Sequence, residues 1–306
     1  MNPVNKNPYQ LPHDATWLIT GCSSGIGRDI AQLIASKPSH RLIATARDVS
    51  SLSYLPDNNP LIIKLPLDVT SPVSVNAAFT AAAAQLGDTF HLDVVVNNAG
   101  YSLAGDTESV TEKQMKSQID TLFYGTVRVT LRAIEVMRQA KNGHHRGGLI
   151  INISSVAGVC AFPGNAFYHA GKFAVEGWTE SVAREMHPEW NINFCLIEPG
   201  MVKTNFETSS KEHLAPHPAY ADADMPTRKL EALVKQGLDA GVGVEPADLV
   251  AVVYHIASRN EQVPLWLPLS LTAAALIRGK METRLQELDA VAELTAIDKT
   301  QTQLEI

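Results

Sequence analysis

The stretch "TWLITGCSSGIGRDIAQLIA", residues 16–35, decides the fold. Its opening, "TWLITG" (16–21), is a short apolar run closed by glycine and reads as a buried strand. From Arg28 to Ala35, the residues Ile30, Leu33 and Ile34 fall on one helical face. Between the two lies "TGCSSGIG" (20–27). Gly21, Gly25 and Gly27 permit a tight turn and let a diphosphate approach backbone N–H groups, with the positive end of the following helix behind them. The spacing is G-x-x-x-G-x-G, not the broader G-x-G-x-x-G fingerprint, and no G-K-[ST] follows to make a Walker loop. A glycine-rich turn that only joins strand to helix is the alternative reading.

Outward from this stretch the same grammar repeats. "RLIATAR" (41–47), "LIIKLPLDV" (61–69), "LDVVVNNAG" (92–100), "GGLIINISS" (147–155) and "INFCLIEPG" (192–200) read as strands with few polar residues. An alanine-rich helix through "SVNAAFTAAAAQLG" and a long helix from about Thr111 to Ala140 lie among them. Apolar strands alternating with helices make a parallel sheet covered on both faces, an α/β, doubly wound arrangement of Rossmann type. One domain over 1–306 is expected, with its core at about 16–205. A polar, proline-interrupted lid or substrate loop is expected at about 203–246, and C-terminal helices at about 247–306. "METRLQELDAV" (281–291) is expected to be a docked surface helix.

With 306 residues, 45% of them hydrophobic, the chain can bury a large core. Its net charge of -7 argues against non-specific nucleic-acid binding, and no run of like charge suggests a membrane-surface patch. The N-terminus is polar and rich in Pro and Asn, unlike a signal peptide. "PLWLPLSLTAAALI" (264–277) is too short for a membrane span and carries prolines, so a buried loop and helix start are expected. Cys22, Cys160 and Cys195 are too scattered for a disulfide framework or a zinc site. They read as small buried groups in a reducing compartment, so the cytoplasm is expected and a metal is not. His144 and His145 are expected on an exposed loop between helix and strand.

The second strand ends at Arg47, where such folds hold the adenosine ribose. An acidic residue there would accept the 2′-hydroxyl, whereas a guanidinium favours a 2′-phosphate. Arg47 therefore points to NADP(H) rather than NAD(H). Asp48 follows at once and could blunt that preference, which leaves a merely solvated Arg47 as the alternative.

Several motifs now stand in register: "TGCSSGIG", "LDVT" (67–70), "NNAG" (97–100), the "SS" closing the fifth strand, "YHAGK" (168–172) and "PGMVKT" (199–204). Together they resemble the short-chain dehydrogenase/reductase family over roughly 16–205, most nearly its branch of hydroxysteroid and retinol dehydrogenases and fungal reductases. The resemblance implies that Tyr168 is the general acid or base at a carbonyl or alcohol oxygen. Lys172, four residues on, would lower the tyrosine pKa and hold the nicotinamide ribose. Ser155, 13 residues before Tyr168, would polarise the carbonyl, with Ser154 the competing assignment. For the cofactor it implies Gly21, Ser24, Gly25, Ile26 and Gly27 in the glycine loop and Arg47 at the 2′-phosphate. Asp68 and Val69 would flank the adenine, and Asn98, Ala99 and Gly100 the adenosine side. Pro199, Gly200, Val202 and Thr204 would hold the nicotinamide. The implied partners are a small-molecule ketone or alcohol and further copies of the chain in a homodimer or homotetramer.

Two positions depart from the family pattern. In "QIDTLFYGTVRVT" (118–130), counting three back from Gly125 gives Leu122, where the family carries an asparagine that holds a water linking the lysine to solvent. Gly171 precedes Lys172 where serine is frequent. Leu122 leaves two expectations open: a carbonyl reductase with another water path, or a non-redox protein on the same scaffold. Phe206, Leu214 and Tyr220 suit a bulky apolar substrate. His169, on another helical face from Tyr168, is expected to be packed or solvated rather than catalytic, and Phe173 and Trp178 to be core or subunit contacts.

Overall fold

The computed structural model describes residues 4–141 and 144–295. Residues 296–306, the end of the expected C-terminal helices, and the side chains of His144 and His145 lie outside the described residues. The sheet strands are β1 (Thr16–Ile19), β2 (Arg41–Ala46), β3 (Ile62–Pro66) and β4 (Val94–Asn97). A short β5 (Ser102–Ala104) stands apart from that sheet, and β6 (Ala140–Lys141) and β7 (His144–His145) form a two-stranded antiparallel pair. The main sheet continues with β8 (Gly148–Ile153) and β9 (Ile192–Pro199), and β10 (Lys211–His213) pairs with β5. A last strand, β11 (Trp266–Leu269), completes seven parallel strands in the order β11-β9-β8-β4-β1-β2-β3.

β11 corrects one expectation, since a buried loop was expected there. Its proline, Pro268, is tolerable because β11 is an edge strand with one neighbour. The central strands are buried along their whole length, which is why they read as apolar runs rather than alternating ones.

Helices α1 (Gly25–Ala35) and α7 (Pro246–Ser258), the latter preceded by α6 (Pro226–Asp239), share one core layer with β1, burying Ile30, Ile34, Leu249, Val253 and Ile256. Helices α2 (Pro72–Leu86), α4 (Gly125–Met137) and α5 (Ala166–Glu185) line the other through Phe79, Val129, Met137 and Val182. Ser71 caps α2 by accepting from the Ser74 N–H, with Pro72 at its first turn. The expected long helix is interrupted. After α3 (Glu112–Ile119) comes a π-turn over Asp120–Tyr124, and α4 begins at Gly125. Such insertions are uncommon and cluster at functional sites. The last long helix, α8 (Leu271–Ala290), buries only Ala273, and Met281, Leu285 and Leu288 are exposed. The expected docked helix is thus not docked along this stretch.

Strand order reverses between β1 and β4. Loops leaving the carboxyl ends of those two strands therefore diverge, and the crevice between them is where such sheets take ligands.

Candidate active site

The glycine loop and the loop after β4 are sewn together. The Thr20 hydroxyl accepts from the Asn98 N–H at 3.0 Å and the Ala99 N–H at 3.1 Å. The Asn98 amide donates to the carbonyls of Thr20 (3.0 Å) and Gly21 (3.2 Å). Asn98 was expected to line the adenosine, but its amide is committed to bracing the loop. Gly21 and Gly25 have φ of +72° and +55°, which favours glycine. A Cβ on Gly27 would lie 2.3 Å from the Asn98 amide nitrogen and 2.5 Å from the Gly21 carbonyl, so no larger residue fits. Around Gly25 the nearest atom to an added Cβ is the Thr204 Cβ, 3.9 Å away. The backbone there is bare, at the N-terminus of α1, which suits a close approach by phosphate. Ser24 is exposed and Ile26 packs against the core.

At the end of β2, Arg47 is exposed. The Asp48 carboxylate accepts from the Ser50 N–H (2.9 Å) and hydroxyl (2.8 Å), which hold it below the usual carboxylate range. It is committed to its own turn. Sequence reading missed Arg28, whose guanidinium lies 4.3 Å from the Tyr54 ring centre. The Tyr54 hydroxyl donates to the Cys22 carbonyl, and the Cys22 N–H to Thr45, so Arg28 belongs to the seam between glycine loop and β2. Only a helix-start position marked it. Asp68 accepts from the Thr70 N–H and hydroxyl. Val69 is buried against Gly125, and Arg128 donates to its carbonyl while pairing with Asp120.

Ser155, Tyr168 and Lys172 converge. Ser155 stands in extended backbone after β8, accepts from the Ala157 N–H at 3.1 Å, donates to the Pro199 carbonyl at 3.5 Å, and lies near enough to the Tyr168 hydroxyl to favour its ionised form. Burial pushes the Tyr168 phenol up to about 12, opposed by the nearby Ser155 hydroxyl. The expected lowering by Lys172 is not what dominates: the ammonium lies 5.8 Å from the ring centre. Lys172 donates to the Ile153 carbonyl at 2.7 Å, and burial pushes it down to about 8, with Glu176 pulling the other way. Ser154 is buried and turned toward Glu176, so geometry favours Ser155 as the hydroxyl beside Tyr168. His169 is packed: Nδ1 donates to the Ala157 carbonyl, Nε2 accepts from the Phe162 N–H, and burial holds its pKa down. Trp178 meets Phe123 edge-on, whereas Phe173 is exposed.

The π-turn places Leu122, 2% exposed, against both halves of the site. Its Cδ2 lies 2.8 Å from where a Gly100 Cβ would be, and its Cδ1 3.0 Å from the Gly171 position. Leu122 and Gly171 are therefore one change seen twice: the bulk at 122 occupies the room that a side chain at 171 would need.

The segment after β9 folds over the site. Gly200 lies by Ser270, a non-glycine residue at φ +143° that caps α8 and that sequence reading did not single out. Val202 bridges to Val244, and Thr204 accepts from the Phe206 N–H. The Phe206 ring centre is 6.3 Å from that of Tyr168. Leu214 packs on Gly105, and the Tyr220 hydroxyl donates to Glu108. Buried Asp106 fastens the segment, pairing with Arg228 at 2.9 Å and accepting from the His217 N–H. A recess of about 410 Å³ lined by Val4, Arg184 and Trp266 shares no residue with this group. Among the described residues no group of three or more His, Cys, Asp or Glu could hold a metal, and no helix is long and apolar enough to cross a membrane.

A family model described as short chain dehydrogenase matches residues 15–215. The chain is 67% identical to the oxidoreductase calM of Penicillium decumbens over the full length of both. It is 33% identical to human retinol dehydrogenase 8, covering 79% of this chain and 78% of that one. A short-chain dehydrogenase structure from Streptomyces avermitilis superposes with a TM-score of 0.79 at 30% identity, covering 92% of this chain and 98% of that one. The chain belongs to the short-chain dehydrogenase family, whose members bind a nicotinamide cofactor.

Proposed function

We propose that the protein is an NADP(H)-dependent oxidoreductase that interconverts a ketone and a secondary alcohol on a fairly bulky apolar substrate. The observation that carries this reading is the convergence of the Ser155 hydroxyl on the Tyr168 phenol, one helical turn from buried Lys172 and beside the braced glycine loop. The bound cofactor would supply the hydride. Tyr168, protonated at neutral pH and held more firmly so by burial, gives its proton to the carbonyl oxygen. Ser155 donates a hydrogen bond to the same oxygen, and Lys172 then restores the tyrosine proton.

Gly21, Ser24, Gly25, Ile26 and Gly27 would cradle the diphosphate, and Arg47, joined by Arg28, the 2′-phosphate. Asp68, Val69, Ala99 and Gly100 would line the adenosine, and Pro199, Gly200, Val202 and Thr204 the nicotinamide. Asp48 is held by Ser50 and makes no ion pair with Arg47, whose guanidinium stays open to a phosphate. Phe206, close to the Tyr168 ring, supports an apolar substrate. We also take the chain to be one domain, cytoplasmic, and a homodimer or homotetramer, an assembly that exposed Tyr124, Leu131 and Phe173 would serve.

Nicotinamide fluorescence titrations with NADPH and NADH, on wild type and Arg47→Ala, test the cofactor reading. NADPH should bind about tenfold or more tightly in wild type, and the preference should fall in the variant. Equal affinities in wild type would refute it. The second reading, a non-redox role in isomerisation or cyclisation, rests on Leu122. Tight NADPH binding without oxidation across a broad ketone panel would favour it.

A further inference from the structure

Behind Lys172 lies a second polar cluster. Ser154 (3% exposed), Glu176 (8%) and Glu198 (1%) are each buried, and Glu198 lies near enough to Glu176 for the two carboxylates to repel. A Cβ on Gly158 would lie 2.7 Å from Ser154 Oγ and 2.9 Å from Glu176 Oε1, so both groups converge on that glycine. The Ser154 N–H donates to Ile197, one residue before Glu198. Ser154 Oγ stands close enough to Glu176 to favour its charged form, yet Ser154 Oγ, both Glu176 oxygens and Glu198 Oε2 complete no hydrogen bond among the described residues. Four orphaned polar atoms in one buried place are unusual, since each costs desolvation free energy unless something satisfies it. On the other side Leu122 is apolar and packed against Gly100 and Gly171, which denies Lys172 a polar approach from there.

We propose that Ser154, Glu176 and Glu198 form a buried proton-holding site that exchanges a proton with Lys172. Glu176 sits one turn beyond Lys172 on α5, so the two groups lie on one helical face. With no direct hydrogen bond from Glu176, water is the carrier that fits, because it supplies both donors and acceptors to the orphaned atoms. One carboxyl O–H bond breaks as one Lys172 N–H bond forms, and bulk water refills the carboxyl between turnovers. The proton affinities are matched. Burial, opposed by Ser154 and Lys172, pushes Glu176 up to about 7; burial and Glu176 push Glu198 up to about 8; Lys172 falls to about 8. No transfer among them climbs far. The other titratable groups facing the site are Cys195 on β9 and Cys160 below Gly158, with the charges of Arg259 and Lys280 reaching those thiols. Glu176 and Glu198 would be positioning residues, acting through Lys172.

This inference deepens the reductase reading and rests on it for its use in turnover, but its first test needs neither cofactor nor substrate. In an infrared pH titration of the unloaded protein, wild type should show a protonated-carboxyl band at pH 6 that is lost with a midpoint near 7 to 8. Glu176→Gln should remove much of the band, as should Glu198→Gln, and Lys172→Met should raise the midpoint by about one unit by deleting the facing positive charge. No protonated-carboxyl band in wild type at pH 6 overturns the proposal even if every variant fails to fold, and a midpoint unmoved in folded Lys172→Met does so too. In turnover, Glu176→Gln should lose about tenfold in kcat, shift the pH profile and enlarge the solvent isotope effect, with NADPH affinity unchanged. A wild-type pH profile and isotope effect in that variant overturn the exchange. Absence of turnover in wild type would instead sink the reductase reading, and the infrared result would then decide the proton-holding site alone.

Discussion

Gly100 and Leu122 should be energetically coupled, with a size that follows from two distances. In wild type a Cβ on Gly100 lies 2.8 Å from Leu122 Cδ2, and the next atom, the Asn98 carbonyl oxygen, is at 3.9 Å. Gly100→Ala therefore overpacks against one side-chain atom. Overpacking costs about 1–3 kcal/mol, less about 0.4–1 kcal/mol recovered by restricting the unfolded chain. Leu122→Ala alone removes a side chain 2% exposed and should cost about 2–5 kcal/mol. In the double variant the clash is gone, and the added methyl meets only the ordinary 3.9 Å contact. It should then be about as stable as Leu122→Ala, giving a coupling of about 1–2 kcal/mol. Urea unfolding of the four unloaded proteins, with m-values compared, measures this. Additivity within about 0.5 kcal/mol would refute the packing, and with it the claim that Leu122 walls the site.

Stability should also depend on pH through Glu176 and Lys172. Glu176 is raised from 4.5 to about 7, so its contribution is present below 4.5 and lost as pH rises through 7, on the order of 3 kcal/mol; Glu176→Gln should flatten that limb of a thermal-unfolding series. Lys172 is lowered from 10.5 to about 8, so its contribution is present above 10.5 and lost as pH falls through 8, and the cluster is least stable near pH 7 to 8. Arg228→Ala strands the buried Asp106 carboxylate and should cost about 3–5 kcal/mol, with hydrogen exchange rising across 211–239; exchange unchanged there would remove Asp106 as the fastener of the segment. Gly27→Ala should break the Asn98 brace and weaken NADPH binding at least tenfold, and undiminished affinity would contradict the tight seam.

Much of this architecture is legible in the chain, because a buried parallel strand needs an apolar run and a glycine loop needs its glycines. β11 was not, since "WLPL" carries a proline that argues against a strand unless the strand is at an edge, and edge position is a tertiary fact. The π-turn at 120–124 hides inside a helical pattern that one extra residue does not disturb visibly. Tyr168 and Lys172 were legible as a spaced pair, but not that burial rather than the lysine governs the phenol. Leu122 stood out as a departure, and Gly171 as another, yet only packing joins them. Ser154 read as a rival to Ser155, and its turn toward Glu176 depends on α5 packing across the end of β8. Arg28 gave no signal beyond its place at a helix start, because its Tyr54 contact crosses the β2 seam.

The most direct measurement is single-turnover oxidation of NADPH by Tyr168→Phe beside wild type, with a bulky apolar ketone that wild type reduces. Loss of about 10²–10⁴ in the chemical step at unchanged NADPH affinity is the predicted result. Wild-type rates in the variant would contradict the assignment of Tyr168 as the proton donor.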